Sequence, residues 1–204
     1  MADDFPNPYA QYKASAERAL FRMHAESGFP VATFRPPFVH GPLQPFYREQ
    51  FFWDRLLDHR RIILPGDGGE AMQWAYVADV AEACVRAMEV PEAAGEAFNV
   101  AHIEPTTKRG FLEALAAVAG VEPQLVPVSR DTISAAGGQL AGNHLYFGEY
   151  LDLPTHTEVV EKARRVLGIT PTPLEAALRL GYAWYRTQPR RARDYELEDR
   201  LLAF

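Results

Sequence analysis

Tyr9 and Lys13 stand four residues apart in PYAQYKASAERAL, and residues at that spacing share one face of a helix. A free phenol titrates near pH 10 and is a poor base at neutral pH. An ammonium group beside it favours the phenolate. A phenol so placed can exchange a proton with an alcohol or sugar hydroxyl while a hydride leaves the adjacent carbon. Lysine adds hydrogen-bond donors that suit a ribose. The spacing alone is common in helices that have no such role, and Tyr12, next to Lys13, faces elsewhere and reads as packing.

The elements around the pair must position it. Ala10, Ala14, Ala16, Ala19, Leu20 and Met23 give residues 9–26 an apolar helical face, and Gly28 stops the helix. VATF (31–34) reads as a buried strand, and RPPFVHGP (35–42) as a loop, because two successive prolines do not sit in a central strand. Helices are expected over 46–59, 77–89, 158–168 (capped by Gly168) and 171–187. Another should begin at Thr106 or Thr107 and run through FLEALAAVAG. Strands are expected at 62–64, 97–100 and 124–129, with a turn at PGDGG (65–69). AMQWAYV (71–77) is a polar-apolar stretch, and DTISAAGGQLAGN (131–143) is loop or weak helix. Helices alternating with short strands give an α/β class.

The chain has 204 residues, 48% of them hydrophobic and 24% charged, enough to build a packed core. The net charge of −6 opposes a general nucleic-acid surface. No apolar run reaches the length of a membrane helix, and no secretory leader pattern opens the chain. A single cysteine, Cys84, rules out an intrachain disulfide and suits a reducing cytoplasmic setting; within its helix it reads as a small buried hydrophobe. The six histidines show no metal-ligand spacing, so no metal site is expected.

PYAQYKASAERAL, VATFRPPFVHGP, WAYVADVAEACVRAME, GEAFNVA and ARRVLGITPTPLEAALRLGYAWY occur in the order and spacing of the extended short-chain dehydrogenase/reductase family. The chain resembles these NAD-dependent epimerases and dehydratases over residues 6–188. The resemblance implies Tyr9 as general acid/base and Lys13 as its electrostatic and ribose-binding partner. It places Pro36 and Pro37 beside the nicotinamide and Phe38 next to them, towards the substrate, as a contact of both; Trp74 and Arg55, the latter a possible anion contact, are the other expected substrate contacts. Asp79 matches an aspartate that opens a family helix and reads as a structural carboxylate that orients nearby backbone.

The family's dinucleotide site also needs a Gly-rich turn between a first strand and a first helix. PGDGG has the wrong spacing for that turn, and no strand-turn-helix surrounds AAGGQLAGN. The expected architecture is therefore the C-terminal portion of such an enzyme, lacking the Gly-rich half. It would hold a partial Rossmann-type parallel sheet (about 1–45 and 77–102), a small substrate lobe (about 46–76 and 103–188) and a tail (189–204). NAD or NADP is the implied cofactor and a sugar-like hydroxy or carbonyl compound the implied substrate. A second copy, or a chain that supplies the missing half, is the implied partner. Where many relatives carry Asn, this chain has Phe38, and Met72 and Gln73 replace an Arg-Asp pair, which argues against a nucleotide-diphosphate sugar. Arg35 and Arg61 remain possible anion contacts.

Two other readings stand beside this one. The first is a non-catalytic remnant or binding module. The second follows from FFWDRL, which resembles the branch that includes chloroplast stem-loop RNA-binding proteins. Charge opposes RNA. The basic cluster Arg186, Arg190, Arg191 and Arg193 is followed by Asp194, Glu196, Glu198 and Asp199 and reads as a solvated, salt-bridged helix.

Overall fold

The computed structural model describes residues 8–136 and 154–203. Helix α1 (Pro8–Ser27) leads to strand β1 (Ala32–Arg35), with Gly28 in the left-handed region at φ 72° where the helix stops. β1 pairs in parallel with β6 (Glu96–Asn99), Phe34 opposite Phe98. Between them lie β2 (Phe38–His40), α2 (Glu49–Leu57), β3 (Arg61–Pro65), β4 (Ala71–Met72), β5 (Trp74–Tyr76) and α3 (Val77–Glu89). After β6 come β7 (Thr106–Thr107), α4 (Lys108–Ala119), β8 (Gln124–Val128) and the short α5 (Arg130–Ala135). α6 (Glu161–Leu167), α7 (Leu174–Tyr185) and α8 (Glu196–Leu202) complete the order. β2 pairs with β5 and β3 with β8, both in parallel, while β4 and β7 are antiparallel.

Several boundaries depart from the sequence expectations. Strand β2 lies inside the stretch read as a loop: both prolines precede it, so Phe38, Val39 and His40 keep the N–H groups a strand needs. The stretch 71–77 is two strands separated by Gln73, whose side chain donates to the carbonyl of His102 at 2.5 Å and accepts from the backbone of Glu158 at 2.6 Å. Cys84 is exposed; on its helix it is Ala83 that faces inward. Residues 130–135 form helix, and the rest of the ambiguous stretch, 137–143, lies outside the described residues. Other local signals held. Thr107 caps α4 by accepting from Gly110 N–H at 2.9 Å, and Gly120 and Gly168 end their helices with positive φ.

Two apolar clusters organise the chain. One joins α2, β3, β5, α4 and α7 through residues such as Trp53, Ile63, Trp74, Phe111 and Leu178, all under 4% exposed. It reaches the tail, where Leu201 of α8 is buried. The other is smaller: Phe98 and Val100 pack with Ala83, Ala163, Leu167 and Ile169. α6 therefore sits against α3 and β6, the sheet side, although its sequence position falls within the expected substrate lobe.

Candidate active site

Helix α1 contributes no buried residue. Its inward stripe (Ala10, Ala14, Glu17, Leu20, Phe21 and His24) is only half-buried. Glu17 anchors it, accepting from Thr33 Oγ1 at 2.8 Å and from the guanidinium of Arg35. That guanidinium and the Thr33 hydroxyl hold the Glu17 carboxyl below its usual range. At the C-terminal end His24 Nδ1 donates to the carbonyl of Phe29 at 2.8 Å, and its ring packs over Gly95 so closely that a Cβ there would lie 2.5 Å from Nε2.

These anchors set Tyr9 and Lys13 on one side of α1, with the Lys13 ammonium 5.6 Å from the Tyr9 ring centroid. Both line a cavity of about 900 Å³ at the C-terminal end of β1. Pro36, Pro37 and Val39 form its apolar wall, and His40, Gly41 and Tyr76 its floor. Tyr9 is 70% exposed. In water the attraction between a phenolate and an ammonium is about a quarter of its strength at an effective dielectric of 20, so the pair gains force only when something covers it.

The floor holds a buried polar chain that no local pattern announced. His102 Nδ1 lies 2.6 Å from the carbonyl of Thr172, which can only accept, so this nitrogen carries the hydrogen. In a neutral ring His102 Nε2 is then an acceptor, and His40 Nε2, 2.7 Å away, must donate to it. His40 Nδ1 is left as a buried lone pair 3.9 Å from Glu49 Oε1. Glu49 Oε1 accepts from Gly41 N–H at 2.7 Å, and Oε2 is buried without a hydrogen-bond partner. Burial pushes the Glu49 carboxyl up to about 6 and holds both histidines below their ordinary value. Gly41 is required here: its φ is 121°, and a Cβ would lie 2.9 Å from the Tyr76 ring.

Thr172 also gives its backbone N–H (2.8 Å) and hydroxyl (2.6 Å) to the Asp79 carboxylate. Asp79 thus orients backbone, as its position at the start of α3 suggested, and ties that helix to the turn before α7.

The expected substrate contacts divide. Phe38 packs at 5.4 Å against Trp74 and at 6.0 Å against His156. Trp74 is 3% exposed and stacks on Phe111 at 3.8 Å, a core position rather than a cavity wall. Arg55 is not a substrate contact. It is 4% exposed, paired with Glu198 of α8, and its guanidinium lies 3.3 Å from the Phe51 ring centroid. A sequence separation of 143 residues hid that partner. Arg35 is committed to Glu17, and Arg61 reaches the carbonyl of Leu202 at 3.4 Å. Among the described residues no group of histidine, cysteine or carboxylate side chains could hold a metal ion.

The family model described as NAD dependent epimerase/dehydratase matches residues 4–101, the span that holds α1, the cavity wall and β6. A curated relative, the chloroplast stem-loop binding protein of 41 kDa b of Arabidopsis thaliana, is 27% identical over 173 residues, which are 83% of this chain and 42% of that protein. UDP-glucose 4-epimerase of Thermus thermophilus, solved with NAD, is 26% identical with a TM-score of 0.66, covering 89% of this chain and 54% of its own. An epimerase of Methanothermobacter thermautotrophicus superposes with a TM-score of 0.70 at 20% identity, covering 91% and 52%. The chain spans about half the length of the family proteins it matches. Their fold is the mixed α/β arrangement seen here, with parallel strand pairs.

The fit of this family's dinucleotide is partial. Lys13 and the Tyr9 hydroxyl supply donors and Pro36 and Pro37 an apolar wall, which suit a nicotinamide and its ribose. A Gly-rich turn that could cradle the pyrophosphate does not line the cavity among the described residues.

Proposed function

We propose that the chain forms the proton-transfer and substrate-facing side of an NAD(P)-dependent epimerase/dehydratase or reductase acting on a sugar-like hydroxyl. The observation that carries this reading is that Tyr9, Lys13, Pro36 and Pro37 line one cavity within the span that matches the family. The cofactor, when bound, accepts or returns a hydride at the reacting carbon. Tyr9 takes the hydroxyl proton as that carbon becomes a carbonyl and returns it in the reverse step. Lys13 offsets the charge of the phenolate and donates to the ribose. Pro36 and Pro37 give a flat ring an apolar surface and keep water from it. The pyrophosphate cradle comes from polypeptide beyond these 204 residues, in the same protein or a partner chain, and that polypeptide also covers the exposed face of α1.

Turnover of the assembled enzyme tests the assignment. Tyr9→Phe should lower kcat by about 10²–10⁴ with little change in KM. A full-rate Tyr9→Phe enzyme removes Tyr9 from the mechanism.

A further inference from the structure

A second cavity, of about 540 Å³, opens between α2 and the end of α7 with the segment that follows it. Its floor is the carboxylate of Asp54, 3% exposed. Tyr185 donates to Asp54 Oδ1 at 2.5 Å, Arg193 to the same oxygen at 3.0 Å, and Tyr47 to Oδ2. Burial and this carboxylate hold both phenols protonated, well above their ordinary range. The charge of Asp54 is thus consumed, and two aromatic rings are fixed in the wall. Trp184 adds a third flat surface.

The rim carries Arg186, Arg190 and Arg191. Read as sequence, these belonged to a salt-bridged helix neutralised by the acids that follow. The structure keeps the salt bridges for Arg193 and overturns that reading for the three rim arginines. α7 ends at Tyr185, and the acids are committed elsewhere: Glu198 to Arg55, Asp199 to Arg60 and Glu196 to Arg200. Arg193 serves Asp54 and Asp58. Among the described residues none of the three rim arginines has a carboxylate partner. Arg191 lies 5.2 Å from the Tyr47 ring centroid, and Arg186 reaches the Tyr182 hydroxyl at 3.4 Å and lies 5.9 Å from that ring's centroid. In a chain of net charge −6, three guanidiniums that form no close ion pair among the described residues, Arg190 with only a longer-range attraction to Asp58, therefore ring a cavity walled by tyrosine and tryptophan.

We propose that this cavity binds a nucleotide, its base stacked on Trp184 and Tyr47 and its phosphate held by Arg190 and Arg191. Aromatic faces accept any base, at roughly 1–3 kcal/mol per stacked ring. Guanidinium forks suit phosphate oxygens. A phosphate alone would leave the aromatic wall unused, and a neutral ring would leave the arginines unused. Gln44 and Pro45 line both cavities, but Tyr9, Lys13, Pro36 and Pro37 do not line this one, so the proposal does not depend on the reaction assigned there. The nucleotide can be free in solution or be one unit of a single-stranded chain; the phosphate and base chemistry is the same.

The test is a titration of the full chain with uridine 5′-monophosphate and adenosine 5′-monophosphate, followed by tryptophan fluorescence. Trp53 and Trp74 are 1% and 3% exposed, so quenching reports on Trp184. Each nucleotide should bind at least ten times more tightly than its nucleoside or inorganic phosphate, and binding should weaken as salt rises. Arg190→Ala/Arg191→Ala should reduce the affinity about tenfold, to the level of the nucleoside. Both residues are exposed, so the fold is unaffected, and circular dichroism checks this. Trp184→Phe should keep most of the affinity, read by calorimetry, and Trp184→Ala should lose it. An eight-nucleotide single strand distinguishes the sources. Tighter binding than the monophosphate, with the Arg190→Ala/Arg191→Ala loss retained, assigns the site to a chain; no gain in affinity assigns it to a free nucleotide. Lys13→Ala should leave binding unchanged. The proposal fails if nucleoside or phosphate binds as well as the nucleotide, if the arginine variant binds normally, or if Lys13→Ala abolishes binding and so moves the site to the first cavity.

Discussion

The two cavities differ in how the chain holds their working groups. In the first, Tyr9 and Lys13 stand on a helix with no buried residue, anchored chiefly by Glu17 at its middle and His24 near its end. In the second, Tyr47 and Tyr185 are clamped on a buried carboxylate and backed by the larger apolar cluster, with the Tyr185 ring tilted against Trp53 at 5.2 Å. The second site is complete within the chain. On the function proposed above, the first is half of a site, whose cover and electrostatic strength would come from other polypeptide. Preorganisation follows burial: the same phenol chemistry is rigid where the core supports it and loose where one helix lies on a two-stranded sheet.

Variants can break or sharpen this contrast. Phe111 supports the large cluster, 1% exposed and stacked on Trp74. Phe111→Ala should cost about 3–5 kcal/mol in denaturant unfolding. Arg55→Met should cost about 3 kcal/mol in the same assay, because Glu198, 3% exposed, is left as a buried charge without its partner.

A smaller and pH-dependent change is expected at Glu49, beneath the first cavity. Burial raises its folded-state pKa from 4.5 to about 6. The folded chain therefore binds more protons than the unfolded chain in this window, and the group's contribution is fully present below pH 4.5 and lost as pH rises through about 6. His40 and His102 are lowered instead, so their contribution is present above pH 6.5 and lost as pH falls. Glu49→Gln removes the first dependence, and its amide oxygen can still accept from Gly41 N–H. Thermal melts should show the variant more stable by about 2 kcal/mol above about pH 7, with the gain gone below about pH 4.5. A gain that persists at acid pH would locate the effect elsewhere. At the loose end of the contrast, Leu20→Ala on the half-buried face of α1 should cost under about 1 kcal/mol and mainly speed amide exchange in α1.

The sequence disclosed what depends on neighbours in the chain. The Thr107 cap, the glycine stops and the Tyr9–Lys13 spacing are all local; the apolar face expected for α1 was half right, since Ala10, Ala14 and Leu20 turn inward while Ala16, Ala19 and Met23 are exposed. The family segments fixed the order of elements. What stayed hidden depends on partners far along the chain. His40 meets His102 62 residues away, Tyr185 meets Asp54 131 residues away, and Glu198 meets Arg55 143 residues away. No local pattern marks those pairs, so Arg55 read as a free cation and the cluster from Arg186 to Arg193 read as neutralised. Strand β2 was obscured for a different reason, since two prolines broke its pattern one residue before its hydrogen bonding began.

The most direct test of the account compares reduced nicotinamide mononucleotide with NADH by calorimetry. It uses the Arg190→Ala/Arg191→Ala chain, so that the second cavity cannot capture the adenylate half of NADH. If the nicotinamide end of the site is here and the pyrophosphate cradle is not, the two ligands should bind equally weakly, with Kd near or above about 1 mM, and Lys13→Ala should abolish both. Micromolar binding of NADH, about a thousandfold tighter, would contradict the claim that these residues hold only one end of the cofactor.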